Sequence, residues 1–266
     1  MVMHRSVVQL AVALAWPAMV AATDPAASIR IIHLADATPF HMGKVTSVRI
    51  ISPGTGAKQL TLNYSTSQPG DEFSQHTHDG SADTILVLQG AADLRQGPNR
   101  TPMKAGTSAW VPGHQIHGTI TTAKDTIMIS TQVPPDLVLY SGARDSSKPG
   151  AAPVQGQITP GAVKYISFAD RNGAFVDPGM GALHEAVSRR VLTKGQSIES
   201  KGSGSDGEQL FFVWKGAVRV ASGAEKYTMG EKDTAFCRGE GTVKVTGDSA
   251  DPAIVFQVQA PIHSSK

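Results

Sequence analysis

The sequence predicts an all-β protein made of two similar halves, and three observations carry that expectation. Short runs rich in Val, Ile and Thr are separated by clusters of Gly, Pro and Ser, which is the pattern of strands joined by turns. The 266 residues include 27 Gly and 16 Pro but only 6% aromatics, and no stretch sustains helical periodicity over several turns. The second half also repeats features of the first in the same order.

Taken in order, the chain opens with Met1–Arg5, which carries one firm positive charge. Ser6–Val20 follows, apolar but for Ser6 and Gln9, and then Val20-Ala21-Ala22 sets small residues before Thr23. This is the layout of a secretory signal peptide cut near Ala22, and the apolar run is short for a membrane span. Residues 1–22 are therefore expected to direct export, with the rest periplasmic or secreted. Ile29–Leu34, Lys44–Ile51 and Gln59–Ser65 read as strands, the latter two bounded by Ser52-Pro53-Gly54 and Gln68-Pro69-Gly70. Thr84–Leu88 and Asp125–Gln132 are further β-rich runs, and a short helical piece is expected near Asp136–Ser141. From Pro134 to Gly161 the composition shifts to Pro, Gly, Ala and Ser, as in an exposed linker.

The informative stretch is Gly70–His117. His76 and His78 are two apart, so on a strand both imidazoles leave from one face. Asp83 follows a Gly-Ser turn and opens the apolar run, so the returning strand can bring it beside them. His117 comes one strand pair later, after Pro112-Gly113. Three imidazoles and a carboxylate suit one divalent transition metal ion, with Fe, Mn, Ni, Zn and Cu all compatible. His114 and His117 are three apart and face opposite sides of an extended strand, so His114 is not expected to join them. Ile85 and Val87 share the parity of Asp83 and should face the same interior. Tyr64 and Gln75 are the weaker candidates for contact with a substrate.

The pattern G-x5-H-x-H-x4-acid-x6-G, then G-x5-P-x4-H, resembles the two cupin motifs at Gly70, His76, His78, Asp83, Gly90, Gly106, Pro112 and His117. The chain departs from that family at Asp83, where Glu is usual, and at His114, where Gly is usual. The shorter Asp83 either binds the ion directly or reaches it through water. The resemblance implies a barrel of two packed antiparallel sheets, the double-stranded β-helix or jelly roll, with a metal near one mouth. It implies no single reaction, because the fold hosts many.

Beyond the linker, Tyr165–Asp170 echoes Ile31–Asp36, Phe212–Ala217 echoes Leu86–Ala91, and Gly230–Phe236 echoes Gly106–Pro112. The chain thus resembles a bicupin: residues 29–135 a metal-binding cupin, 136–161 a linker, and 162–262 a second cupin without ligands. In that second copy Gly202 and Gly204 fall at the two His positions, and Gln209 at the acid position with Glu208 beside it. The lone Cys237 is read as a small buried hydrophobe. Two Asn-x-Ser/Thr triplets begin at Asn63 and Asn99.

The 24 Lys and Arg against 22 Asp and Glu leave no strong field of either sign, which removes electrostatic support for nucleic-acid binding. The function expected is metal-dependent chemistry on a small oxygenated organic molecule, either dioxygenase-like or of the decarboxylase or isomerase kind. The alternative is a binding protein for metal or a small ligand that does no catalysis. The expected partners are a small molecule and no membrane beyond the signal peptide, with a homodimer admitted.

Overall fold

The computed structural model describes residues 27–262. The signal peptide expected over residues 1–22 lies outside them. Strands dominate, and each expected strand has a counterpart: Ser28–Ile32, Val45–Ile51, Leu62–Ser67, Ala82–Gln89 and Thr126–Val133. The short helix is Leu137–Tyr140, capped by Asp136, whose side chain accepts from the backbone N–H groups of Val138 and Leu139. Strand Thr38–Met42 went unread in the sequence, because Pro39 masks it. It sits at a sheet edge, where proline's missing donor does no harm.

Each half is a barrel of one large and one small antiparallel sheet. The first barrel's large sheet runs Thr107–Val111, Ala82–Gln89, Thr126–Val133, Leu62–Ser67, Val45–Ile51 and Thr38–Met42. Its small sheet runs Glu72–His76, His117–Thr121, Ala91–Gln96 and Asn99–Lys104. The second barrel repeats this plan around Glu208–Lys215 and Ala253–Ala260. Strand registers match at an offset of 126 residues: Ala109 pairs with Ile85 as Ala235 pairs with Phe211.

The barrels exchange their leading strands. Ser28–Ile32 joins the second barrel, with Ile31 opposite Ala235, and Lys164–Ser167 joins the first, with Tyr165 opposite Ala109. The sequence echo between these two segments thus reflects equivalent strands placed in opposite barrels. Exchange locks the halves together, because neither large sheet closes its edge from its own half.

Alternation divides each large sheet into two faces. One face of each turns toward the other barrel, where Leu62, Tyr64, Leu86, Leu88 and Trp110 meet Leu210, Phe212, Phe236 and Phe256 in one shared core. Two buried carboxylates hold this junction. Glu208 accepts from the backbone N–H groups of Lys58, Gln59 and Leu60 at 2.9, 2.8 and 3.3 Å. Glu185 accepts from Trp110 Nε1 at 2.9 Å and lies 3.4 Å from Thr84 Oγ1. Burial, aided by the Asp83 charge, pushes the Glu185 carboxyl up to about 8.

Candidate metal centre

The inward face of the first barrel carries the cluster. His76 ends the strand Glu72–His76 and stands opposite His117, the first residue of His117–Thr121. Asp83 lies in Ala82–Gln89, and Gln132 stands opposite it on the neighbouring strand. His78 follows in the turn between. One ligand atom from each of His76, His78, Asp83 and His117 lies within 4.8 Å of all the others, and all four residues are buried. Ile85 joins Asp83 in lining the same cavity, and Val87 packs against Ile85 and Met128.

Each imidazole is held by its outward nitrogen. His76 Nδ1 lies 2.9 Å from the Ser74 carbonyl, His117 Nδ1 lies 3.0 Å from the Gln115 carbonyl, and His78 Nδ1 lies 2.9 Å from Asp136 Oδ2. All three partners are acceptors, so each Nδ1 carries a proton and each Nε2 points inward, where a neutral ring offers a lone pair. There the Nε2 atoms of His78 and His117 meet Asp83 Oδ2 at 3.2 and 3.1 Å. His76 Nε2 is buried with no protein partner at all. Imidazole lone pairs and a carboxylate oxygen aimed at one another repel unless a proton or a metal cation sits among them, and outward N–H bonds of this kind are the usual support of metal-binding histidines. The residues therefore fit a divalent ion, and the site can hold one.

Charge follows the same logic. Burial and the two neighbouring imidazoles hold His76 well below the ordinary histidine value. For His78 burial pulls down, but the carboxylates of Asp83 and Asp136 outweigh it and raise it to about 9. Asp83 is driven the other way: burial alone would raise it, yet His78 and His117 hold it well below the carboxylate range.

Sequence reasoning missed two supporting residues. Gln132 Nε2 donates to Asp83 Oδ1 at 3.2 Å and lies 3.1 Å from His78 Nε2, while its Oε1 accepts from the Asp136 backbone N–H. Asp136 links His78 to Arg144, whose Nε lies 3.1 Å from Asp136 Oδ2. Both residues flank the Pro-rich segment, whose composition disguised them. That segment is largely exposed, yet it is fastened across the barrel mouth. Ser146 Oγ donates to the Gln75 carbonyl, Thr77 Oγ1 donates to the Gln155 carbonyl, and Leu139 reaches into the cavity lining.

The weaker candidates lie elsewhere. Tyr64 faces the shared core against Phe212, with ring centroids 6.3 Å apart, while its neighbours Asn63 and Ser65 line the cavity. Gln75 accepts from the Gly97 backbone N–H at 2.7 Å and is outside the lining. His114 is exposed and adopts φ 66°, the left-handed region that explains the family's usual glycine there. Its backbone, not its ring, serves the site, by donating to the His78 carbonyl at 2.6 Å.

The second barrel has no such cluster among its described residues. A Cβ at Gly202 would sit 1.8 Å from the Gly239 carbonyl oxygen, and Gly204 has φ 133°, so neither His position accepts a side chain without rearrangement. Gln209 is tied to Ser200 and, through it, to Gln257. Phe211, Val213 and Val255 fill the interior together with Cys237, whose thiol burial pushes up to about 12.

Two jelly-roll barrels with a metal-type cluster in the first define a bicupin. Residues 63–131 match the family model of the cupin domain, and no curated protein matches the chain in sequence. Solved structures share the architecture. The bacterial pirin YhhW of Escherichia coli, in complex with nickel(II), is 16% identical with TM-score 0.66, covering 89% of this chain and 100% of that one. Protein Ylba of Escherichia coli is 9% identical with TM-score 0.66, over 90% and 93%. Oxalate decarboxylase of Bacillus subtilis, described with Mn(II) centres, is 9% identical with TM-score 0.62, over 88% and 78%. The cupin-domain match thus falls on the first barrel, around the intact metal motif, and the solved structures share the fold of the chain as a whole, whose second barrel lacks those ligands.

Proposed function

We propose that this protein is a metal-dependent bicupin enzyme that acts on a small oxygenated organic molecule in the first barrel. The observation that carries the reading is the convergence of one ligand atom from each of three imidazoles and Asp83 within 4.8 Å of one another, each imidazole pinned from outside. His76, His78, Asp83 and His117 would hold the ion. Nickel(II) and manganese(II) in the structural relatives support a divalent transition metal. When bound, the ion supplies Lewis acidity or oxygen activation beside the cavity.

The chain's own residues do the rest. Gln132 fixes Asp83 by its Oδ1 and so keeps Oδ2 turned to the imidazoles. Phe73, Ile85, Met128 and Leu139 keep the cavity apolar on one side, which limits water at the reacting centre. Export to the periplasm or beyond is part of the proposal and rests on residues 1–22 alone. A second reading, a binder without catalysis, is favoured by one feature: beyond the proposed ligands, no titratable side chain among the described residues lines the cavity.

The test combines elemental analysis of protein purified from its native compartment with an oxygen-uptake and product screen over small hydroxy acids, enols, phenolic and dicarboxylic compounds. One metal equivalent with turnover of some compound is expected. Metal without turnover of any compound would favour the binder, and no metal would remove both readings.

A further inference from the structure

The lining of the cavity carries a polar group besides the proposed ligands. Asn63 lines the cavity, is 8% exposed, and its Oδ1 is buried with no partner among the described residues. Its Nδ2 makes only long contacts of 3.5 Å, to Ser130 Oγ and to the Tyr140 hydroxyl. Ser130 stands beside Asn63 on the next strand, and Ser130 in turn opposes Ile85, two residues along from Asp83. An amide oxygen buried without a donor is costly, so a donor from a ligand, or a water that the ligand displaces, belongs there.

Charge and size narrow the ligand further. Among the described residues no Lys or Arg side chain lines the cavity, while Asp83 is an anion within it. Arg49, in register with Asn63, is stacked between the Phe40 and Tyr140 rings and stays outside the lining. A divalent ion beside one carboxylate leaves a single net positive charge, which matches one anionic group and not two. The cavity measures about 40 Å³, room for only a few water-sized groups.

We infer that Asn63 is a specificity-determining residue that accepts a hydrogen bond from the hydroxyl of a small, neutral or singly charged ligand whose other end meets the metal. The inference rests on the proposed metal site and adds the ligand's class: a monoanionic hydroxy compound in preference to a dicarboxylate. The carboxylate or other oxygen donor faces the ion. The hydroxyl faces Asn63 and Ser130, and the short carbon chain lies against Ile85 and Met128.

The test uses full-length protein loaded with Co(II), with metal content measured first and ligand binding then followed by calorimetry and by the cobalt absorption bands. The probes are 3-hydroxypropionate, the isosteric butyrate, and oxalate. In the native protein 3-hydroxypropionate should bind about tenfold or more tightly than butyrate, the scale of one buried hydrogen bond, and more tightly than oxalate. Asn63→Leu should retain one metal equivalent but lose the preference over butyrate, while Asn63→Asp, which keeps the acceptor, should retain it. Equal binding of 3-hydroxypropionate and butyrate by native protein, a preference that survives Asn63→Leu, or tighter binding of oxalate would each overturn the inference. Failure to load Co(II) would instead count against the metal site itself. The native-protein comparison decides the matter even where Asn63→Leu does not fold.

Discussion

The two barrels share a strand plan at a constant offset and differ in what fills them. The first keeps a cavity lined by His76, His117 and Asp83, with His78 completing the cluster beside it. At the equivalent places the second has Gly202, Gly204 and Gln209, and Phe211 occupies the position of Ile85. A barrel interior of this size is either packed by side chains or kept open around a ligand, and duplication has let each copy take one course. The second copy keeps its buried polar groups, but spends them on structure: Glu208, next to the acid position, caps the backbone of a first-barrel loop.

This contrast can be broken most directly at the ligands. His76→Ala or His117→Ala should reduce metal from one equivalent per chain to a small fraction, while Gln209→Ala in the second barrel should leave it at one; elemental analysis reads both. Two equivalents in the native protein would end the asymmetry between the barrels. The apo variants should remain folded at room temperature, since the metal stabilises only by its binding linkage and two packed cores remain.

The junction between barrels comes next in size. Glu185 is raised to about 8 from an ordinary 4.5, so the folded state holds a proton that the unfolded chain releases. Its stabilising share is fully present below about pH 4.5 and is lost as pH rises through about 8, a loss on the order of a few kcal/mol. Glu185→Gln mimics the protonated acid: its oxygen still accepts from Trp110 and its NH2 can donate to Thr84. Denaturant titrations at pH 5 and pH 8 should therefore show the variant with a flatter pH dependence and greater stability than native protein at pH 8. Glu208→Ala should strip three backbone donors, that of Leu60 buried, of their acceptor and cost about 1–3 kcal/mol, without changing metal content.

The smallest effect is expected one contact away from the ion. Asp136→Asn keeps the helix cap through Oδ1 but places an NH2 where His78 Nδ1 needs an acceptor. Metal affinity should fall roughly 10–100-fold with an unchanged set of coordinating atoms. Asp83→Ala sharpens the same question for the carboxylate. If Asp83 binds the ion directly, as its Oδ2 position among the imidazoles favours, X-ray absorption should show the coordination shell altered in the alanine variant.

The ligand set was legible in the sequence because it depends on local periodicity. His76 and His78 share a face by alternation, and the Gly-Ser turn returns the chain so that Asp83 stands near them; fixed turns then bring His117 opposite His76. The repeat was legible for the same reason, since equivalent strands keep equivalent patterns even after exchange between barrels. Which strand joined which barrel was decided only by the tertiary structure, because an edge strand carries no mark of its partner. The same holds for Tyr64 and Asn63: alternation says that they face opposite ways, but only the closed barrel shows that Asn63 is the one that lines the cavity. Asp136 and Gln132 became part of the site, and Glu185 and Glu208 part of the junction, through contacts between segments far apart along the chain. Such contacts have no period to read, and they form only once the barrels close and burial makes each unpaired polar group costly enough to find its partner.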